Sequence, residues 1–179
     1  MRKIIVTEFM SLDGVVENPA WTFPYWNDAI AGFKTEEGSA GQHLLLGRVT
    51  YEGFAQAWPN SKDEGAVYFN GTRKYVMSNT LTALPWNNSV QIKGDLVEEI
   101  SKLKQEEGPD LVVHGSAALA DSLLQNGLVD QIRLLVYPLV LGKGKRLFEN
   151  GTTASLKLVE SKDMGGGVVS FVYEPDYTS

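Results

Sequence analysis

Two glycine corners in the sequence have the residue types needed to bind phosphate groups. The first is in 43–54, His-Leu-Leu-Leu-Gly-Arg-Val-Thr-Tyr-Glu-Gly-Phe, which predicts a short buried strand that turns at Gly47 directly into a helix. Such a corner directs unpaired backbone N–H groups and the positive end of the helix dipole at one spot, where a phosphate would be held. Arg48 can form two hydrogen bonds with a phosphate, and Thr50 adds a hydroxyl in the first helical turn. The alternative for this stretch alone is a tight turn with an exposed arginine and a capping threonine.

The second corner repeats this design in 111–124, where a β-branched run is followed by Gly115-Ser116 and an apolar helix. Gly115 lets the backbone approach a ligand closely, and Ser116 can cap the helix or donate to an oxygen. Two such corners suit a ligand that carries two or three phosphates. Neither corner matches G-x-G-x-x-G or a Walker A pattern, so a Rossmann domain and a P-loop enzyme are both disfavoured.

An aromatic stretch and a carboxylate are the candidates for contact with a flat substrate. Residues 21–26, Trp-Thr-Phe-Pro-Tyr-Trp, place aromatic rings around a proline. They are either core or, through Trp21 and Trp26, a stacking wall for a planar ring. Asp28 opens the next helix, where it either complements the helix dipole or faces whatever the aromatic residues enclose.

Three further polar segments follow predicted strands. Asp13-Gly14 marks a turn, either a plain loop or a mobile flap at the carboxyl end of the first strand. Ser78-Asn79 could hydrogen-bond an adenine or ribose, but a turn explains this pair equally well. Residues 140–148 hold two glycines and three cations and are more typical of a solvated connector than of a phosphate nest.

Apolar periodicity predicts an α/β protein with one domain over 1–179. The predicted strands cover 3–10, 43–46, 73–79, 90–93, 111–114 and 130–138. The predicted helices cover 28–35, 49–57, 95–105 and 117–126. A closing hairpin is predicted from 156–159 and 168–173. Because helices alternate with strands early in the chain, we expect a mainly parallel sheet whose last strands are antiparallel.

Composition restricts the possible functions. The 179 residues are 43% hydrophobic and 21% charged, with a formal net charge of −6, which fits a globular domain and argues against a nucleic-acid surface. No run of about 18 apolar residues and no signal-peptide pattern is present, so a cytoplasmic protein without a membrane partner is expected. Zero cysteines exclude thiolate sites. His43 and His114 lie in apolar strands, so we expect no metal site.

Several motifs resemble those of a known family. Leu46-Gly47-Arg48-Val49-Thr50-Tyr51-Glu52 resembles the L-G-R-x-T-[YW]-E signature of dihydrofolate reductase-like proteins. Segments 113–119 and 128–134 resemble parts of the C-terminal reductase domain of bifunctional riboflavin-biosynthesis deaminase-reductases, and Ser11-Leu12-Asp13-Gly14 matches the S-L-D-G of that branch. The resemblance implies a dihydrofolate reductase-like three-layer αβα sandwich without the deaminase domain.

The resemblance also implies NADPH as cofactor, held across the carboxyl ends of the strands. By this resemblance, Arg48 would bind the 2′-phosphate, and Gly47 and Thr50 would contact the adenosine-side phosphates. Ser78 and Asn79 would lie beside the adenosine, and Asp13 and Gly14 would lie over the nicotinamide. The pyrophosphate would be lined by Gly115, Ser116, Ala117 and Ala118.

The substrate is predicted from the same comparison. Residues 21–24 resemble the W-x-x-P of dihydrofolate reductases, in which a carboxylate two residues after the proline assists protonation of the pterin. Here that position is Trp26, and the nearest acid is Asp28. A phosphoribosyl substrate would need a cationic site, for which 143–146 holds the remaining cluster of two lysines and an arginine.

The leading hypothesis is an NADPH-dependent reductase of a small heterocyclic or sugar-linked carbonyl or imine, resembling 5-amino-6-(5-phosphoribosylamino)uracil reductase. Trp21, Trp26 and Phe54 would contact the substrate, and Asp28, buried against the two tryptophans, would supply the proton directly or through a water. The alternatives are an NADP(H)-binding protein without catalysis, a divergent dihydrofolate reductase, and a dimer scaffold that uses the strand 132–136. A homodimer is the default expectation.

Overall fold

The computed structural model describes residues 1–148 and 151–178 and contains an eight-stranded mixed sheet. The strands are β1 (Ile4–Ser11), β2 (His43–Gly47), β3 (Lys74–Met77), β4 (Ser89–Ile92), β5 (Leu111–His114), β6 (Gln131–Tyr137), β7 (Ser155–Asp163) and β8 (Val169–Asp176). Their spatial order is β4-β3-β2-β5-β1-β6-β8-β7. Strands β1 to β6 are parallel to their neighbours among these six, whereas β8 pairs antiparallel with β6 and β7. The predicted mainly parallel sheet with an antiparallel C-terminal hairpin is therefore confirmed.

The helices are α1 (Asp28–Ser39), α2 (Arg48–Ala57), α3 (Ala66–Gly71), α4 (Leu96–Gln105) and α5 (Ala117–Gln125), preceded by a 3-10 helix over Pro19–Tyr25. The Asn27 side chain begins α1 by accepting a hydrogen bond from the Ile30 N–H at 3.0 Å. Asp95 caps α4 in the same way. The sequence analysis missed α3 and the 3-10 helix, because neither is long enough to show a helical period, and it ended α1 about one turn early.

The helices cover both faces of the sheet and form three layers. Alternate strand residues point to opposite faces, so Leu45 packs with the apolar residues of α4 and α5, whereas Leu44 and Leu46 pack with those of α2 and α3. A third cluster packs α1 against Phe9, Leu135 and Tyr137 on the same side as α2. The side of the sheet that carries α1, α2 and α3 is called the α1 face below.

Strand β6 is an interior strand, which corrects one of the sequence-based alternatives. It lies between β1 and β8, and Ile132 and Leu135 are each only 1% exposed. Because its backbone is paired on both sides and its apolar residues are covered, 132–136 cannot be the interface of a dimer scaffold. Within the described residues no helix combines the length and the apolar character needed to cross a bilayer.

Candidate functional site

The two glycine corners lie side by side at the carboxyl ends of β2 and β5. The Gly47 backbone N–H donates to the Ser116 Oγ at 3.0 Å, and the Ser116 N–H donates to the Thr50 Oγ1 at 2.9 Å. A Cβ on Gly115, whose φ is +64°, would lie 3.2 Å from the Thr50 Cγ2. Each corner thus holds the other in place through one backbone donor and one side-chain hydroxyl, and the adjacency predicted from the sequence is confirmed.

The two hydroxyls act differently from what the sequence analysis expected. Ser116 has a left-handed φ of 53° and makes no side-chain capping bond to α5. Its oxygen and that of Thr50 accept from the opposite corner, so they join the corners. The backbone N–H groups in the first turns of α2 and α5 have no intrahelical partners by geometry and are the donors suited to an anion.

Arg48 lies in the first turn of α2 with its guanidinium near the surface. It forms an ion pair with Glu52, one helical turn later, at 2.9 Å between Nη1 and Oε2. Both side chains are 44% exposed, so the pair is accessible to solvent. Arg48 is therefore placed beside the corners with a carboxylate that competes for it.

The carboxylate of Asp13 binds the connector after β6. It accepts hydrogen bonds from the Ser11 hydroxyl at 2.6 Å, the Leu141 N–H at 3.1 Å and the Gly142 N–H at 2.8 Å. These bonds, led by that of Ser11, lower the pKa of Asp13 to about 2. Gly14 takes part through its carbonyl, which accepts from the Leu147 N–H at 3.0 Å. The predicted nicotinamide loop is thus joined to the connector, and the Asp13 carboxylate is already engaged within the protein.

The cations of the connector 143–146, the candidate site for a substrate phosphate, have different surroundings. The Arg146 Nε donates to the Asp13 carbonyl at 2.9 Å, and the Lys145 N–H donates to Glu17 at 3.2 Å. Lys143 instead lines a cavity of about 310 Å³ together with Trp21 and Asn18. The structure therefore separates Arg146, which helps to hold the loops together, from Lys143, which faces open space beside an aromatic ring.

The aromatic residues after β1 form one cluster around Tyr137. Trp21, Tyr25 and Phe9 meet the Tyr137 ring edge-on at centroid distances of 5.5, 5.7 and 6.0 Å. Trp26 contacts Phe9 edge-on at 6.4 Å and is 50% exposed. Burial raises the pKa of Tyr137 to about 12. Trp21 and Trp26 thus join one cluster through Tyr137 and Phe9, with the partly exposed Trp26 on the solvent side.

Phe54 belongs to a different aromatic cluster on the same face of the sheet. Its ring contacts those of Phe69, Trp58 and Trp86 at 5.6, 6.2 and 6.5 Å. Phe69 in turn lies 5.2 Å from the imidazole of His114 at the end of β5. The structure therefore does not place Phe54 in the aromatic cluster of the two tryptophans.

Ser78 and Asn79 use their side chains to shape local turns. The Ser78 hydroxyl accepts from the N–H groups of Thr80 at 3.3 Å and Leu81 at 3.1 Å. The Asn79 side chain accepts from the Gly94 N–H at 2.8 Å and donates to the Gly94 carbonyl at 3.2 Å. Both residues lie at the same sheet edge as the corners, and the turn alternative accounts for the side-chain bonds they make.

Asp28 is exposed in the first turn of α1. Its position complements the helix dipole, the simpler of the two interpretations given for it above. The burial against Trp21 and Trp26 that its role as proton donor required is not found. That part of the sequence-based interpretation is wrong.

A buried polar cluster that the sequence analysis missed lies under α1. Glu37 is only 3% exposed. Its Oε1 accepts from the Thr7 hydroxyl at 2.8 Å, and its Oε2 is bonded to the Lys34 ammonium. Lys34 also approaches the Thr7 Oγ1 at 3.4 Å and lies 5.1 Å from the centre of the Phe9 ring. The segment Lys-Thr-Glu-Glu reads as the solvent-exposed end of a helix, so the sequence alone carried no signal for this cluster.

Two titratable groups of the central strands lie close to this cluster. Burial raises the pKa of Glu8 well above its ordinary value, and the Lys34 ammonium and the Gly115 N–H partly oppose this effect. Packing around His114, with a further contribution from Lys34, lowers its pKa well below the usual range. The Glu8 Oε1 is buried without a hydrogen-bond partner in the described structure. Both groups therefore favour their neutral forms.

Comparison with known proteins places this geometry in context. The family model described as the RibD C-terminal domain matches residues 2–170. The uncharacterized protein YyaP of Bacillus subtilis (strain 168) is 31% identical over an alignment of 179 positions that covers 96% of this chain and 94% of that protein.

Solved structures share the fold at low sequence identity. A putative riboflavin biosynthesis protein from Shewanella sp. PV-4 has a TM-score of 0.70 at 19% identity and covers 97% of this chain and 99% of its own. The Thermotoga maritima diaminohydroxyphosphoribosylaminopyrimidine deaminase/5-amino-6-(5-phosphoribosylamino)uracil reductase has a TM-score of 0.67 at 15% identity, over 98% of this chain and 57% of its own. Dihydrofolate reductase from Enterococcus faecalis, complexed with NADP(H), has a TM-score of 0.62 at 14% identity, over 97% and 96%. The predicted dihydrofolate reductase-like fold is confirmed.

Proposed function

The chain belongs to the RibD C-terminal domain family, and from this premise we propose that it is an NADPH-dependent reductase of a small planar heterocyclic or sugar-linked carbonyl or imine. Membership in this family, together with the dihydrofolate reductase-like fold, relates the protein to reductases. The finer assignment of cofactor and substrate class is the proposal.

The observation that carries the proposal is the interlocked pair of corners. Two helix N-termini that converge at one sheet edge fit a ligand with linked phosphates, because their unpaired N–H groups and dipoles act on the same region. The absence of a Cβ at Gly115 keeps the two corners close, since a Cβ there would lie 3.2 Å from the Thr50 Cγ2. The pyrophosphate of NADPH would bind at the first turn of α5, and Arg48 would bind the 2′-phosphate.

The aromatic cluster supports a flat substrate. Trp26 and Phe9 present ring surfaces at the partly exposed side of the cluster, and planar rings pack well against such residues. When bound, NADPH supplies a hydride from its nicotinamide ring. The residues of this chain orient the substrate and exclude water. For a phosphoribosyl substrate, Lys143 beside Trp21 is the cation that would meet the phosphate.

Calorimetric titration with NADPH, NADP⁺ and NADH tests the cofactor assignment. We expect saturable NADPH binding that is tighter than NADH binding, and no heat of binding at millimolar NADPH would overturn the assignment. An acceptor panel follows, with a dihydropterin, a phosphoribosylaminouracil and a quinone, and the loss of NADPH absorbance is recorded. Turnover of a dihydropterin alone would favour a divergent dihydrofolate reductase.

A second candidate is an NADP(H)-binding protein that does not catalyse a reaction. The exposed position of Asp28 and the presence of Trp26 where a carboxylate stands in dihydrofolate reductases favour it. It predicts NADPH binding at the corners without reduction of any acceptor in the panel. The two candidates are therefore separated by the same pair of measurements.

A further inference from the structure

A reductase that adds hydride to a C=O or C=N bond also needs a proton donor at the heteroatom. Asp28 is exposed and Trp26 carries no proton suited to this step. The polar cluster under α1 contains a cation with no role in the function proposed so far. A role of that cation in the reaction rests on the proposed function.

Lys34 lies at the inner border of the aromatic cluster. Its Nζ is 5.1 Å from the centre of the Phe9 ring, and Phe9 is in edge contact with both Trp26 and Tyr137. The Lys34 side chain is 21% exposed, so it is mostly enclosed by protein but borders solvent. A planar ring packed against Phe9 and Trp26 would therefore present an edge to this ammonium.

The same ammonium lies close to the second glycine corner. Thr7, which Lys34 approaches at 3.4 Å, is aligned in the sheet with His114, the last residue of β5 before Gly115. The charge of Lys34 acts on His114 on one side and on Glu8 on the other. Lys34 thus lies near both the corner assigned to the cofactor and the rings assigned to the substrate.

Glu37 and Thr7 fix the direction of the ammonium. Both Glu37 oxygens are used, one by Thr7 and one by Lys34, and the carboxylate is almost fully buried. An ammonium has three N–H donors, and the two contacts found within the described part of the chain leave one for a ligand. A buried carboxylate that holds a partly exposed lysine is an arrangement suited to positioning a donor.

Glu8 is the other buried acid near the corner, but it points to the opposite side of the sheet. Thr7 contacts α1, and strand alternation places Glu8 on the face of Ile4 and Val6, which pack with α4 and α5. Phe9 returns to the α1 face. Lys34, on the α1 face, combines contact with the Phe9 ring and proximity to the corner.

We infer that Lys34 donates the proton to the substrate heteroatom and that Glu37 and Thr7 are its positioning residues. A hydride from NADPH adds to the carbon of the C=O or C=N bond, and the π electrons of that bond pass to the oxygen or nitrogen. That atom takes a proton from the Lys34 ammonium, NADP⁺ is formed, and the neutral amine of Lys34 regains a proton from solvent. The ammonium also stabilises the negative charge that develops on the heteroatom.

The test compares Lys34→Met, Lys34→Arg and Glu37→Gln with Lys102→Met as a matched control. Like Lys34, Lys102 forms ion pairs within its own helix, in its case with Glu98 and Glu99, but it lies on the exposed side of α4. With the acceptor that wild type reduces fastest, Lys34→Met should lower kcat by about 100-fold or more, and Lys34→Arg should restore part of the loss. Lys102→Met should match wild type.

Two further readouts separate a role in chemistry from a structural role. Glu37→Gln should lower kcat more than it raises KM, because the Lys34 ammonium remains present but loses the buried carboxylate that fixes its direction. In the presence of NADP⁺, quenching of tryptophan fluorescence by pterin, a planar carbonyl compound, should require about tenfold more pterin in Lys34→Met. NADPH affinity should remain within about threefold of wild type, because Lys34 contacts the substrate side.

The possible results are distinguishable. If Lys34→Met keeps kcat within about threefold of wild type, or binds pterin as wild type does, the role of Lys34 is overturned while the proposed function stands. If wild type binds NADPH but reduces no acceptor, the proposed function fails and the role of Lys34 fails with it. If Lys34→Met does not fold because Glu37 is left unpaired, Lys34→Met/Glu37→Gln replaces it, since this pair of changes leaves no buried charge without a partner.

Discussion

Replacement of Arg48 by alanine is the perturbation with the clearest expected magnitude. A hydrogen-bonded contact between a guanidinium and a phosphate contributes about 1.5–3 kcal/mol, and each 1.4 kcal/mol corresponds to about a tenfold change in Kd. Arg48→Ala should therefore weaken NADPH binding by about 10- to 100-fold. NADH has no 2′-phosphate, so its Kd should change by no more than about twofold.

The ion pair with Glu52 refines this prediction. Arg48 and Glu52 are 2.9 Å apart and half-exposed, and such a pair on one helix contributes about 0.3–0.5 kcal/mol. Because Glu52 competes with the phosphate, Glu52→Gln should tighten NADPH binding by about twofold. Arg73→Ala is the matched control, since Arg73 precedes β3 at the opposite edge of the sheet. Calorimetry at one fixed salt concentration gives the Kd of NADPH and of NADH for wild type, Arg48→Ala, Glu52→Gln and Arg73→Ala. An equal loss of NADPH and NADH affinity in Arg48→Ala would refute the assigned contact.

Three other substitutions test the geometry of the fold and site. Gly115→Ala should lower the free energy of unfolding in urea by about 1–2 kcal/mol, because the φ of Gly115 is +64° and the new methyl group would lie 3.2 Å from Thr50. An unchanged urea midpoint would contradict this expectation. Asp13→Ala should speed amide exchange in the turn at 141–142, whose two N–H groups lose their acceptor, and unchanged exchange would show that the bonds do not hold the connector. Glu8 should make wild type less stable as pH rises. Burial raises its pKa, so the folded state keeps a proton that the unfolded chain has lost, and stability falls across that interval by up to about 1.4 kcal/mol per pH unit. The histidines make stability change with pH in the opposite direction, so the free energy of unfolding is measured for both wild type and Glu8→Gln, and the difference between the two isolates the effect of Glu8. If that difference does not change with pH, the raised pKa is contradicted.

The parts of the fold that depend on local signals were predictable. The strand-glycine-helix pattern at Gly47 and Gly115 is contained within a few residues, and parallel strands then bring the two corners to one edge of the sheet. The short helix α3 has only six residues and shows no period of its own. Segment 132–136 was interpreted as a possible interface because the sequence does not show that β6 lies between β1 and β8.

The polar contacts of the site depend on distant residues and could not be predicted. Asp13 meets Leu141 across 128 positions of sequence, and Glu37 meets Thr7 across 30. Only the packing of α1 over β1 buries Glu37, whose neighbours in sequence are polar. The same limitation favoured Asp28 as the acid, because its exposure on α1 is a property of the folded chain.

The central claim is that the two corners together bind the phosphates of NADPH, and nuclear magnetic resonance of the backbone amides tests it residue by residue. A 19.7 kDa chain is small enough for such spectra. On titration with NADPH, the amide signals of Arg48, Val49, Ala117 and Ala118, in the first turns of α2 and α5, should shift most and should saturate together at one Kd. NADPH-dependent shifts confined to another part of the sheet, with the signals of both corners unchanged, would contradict the account.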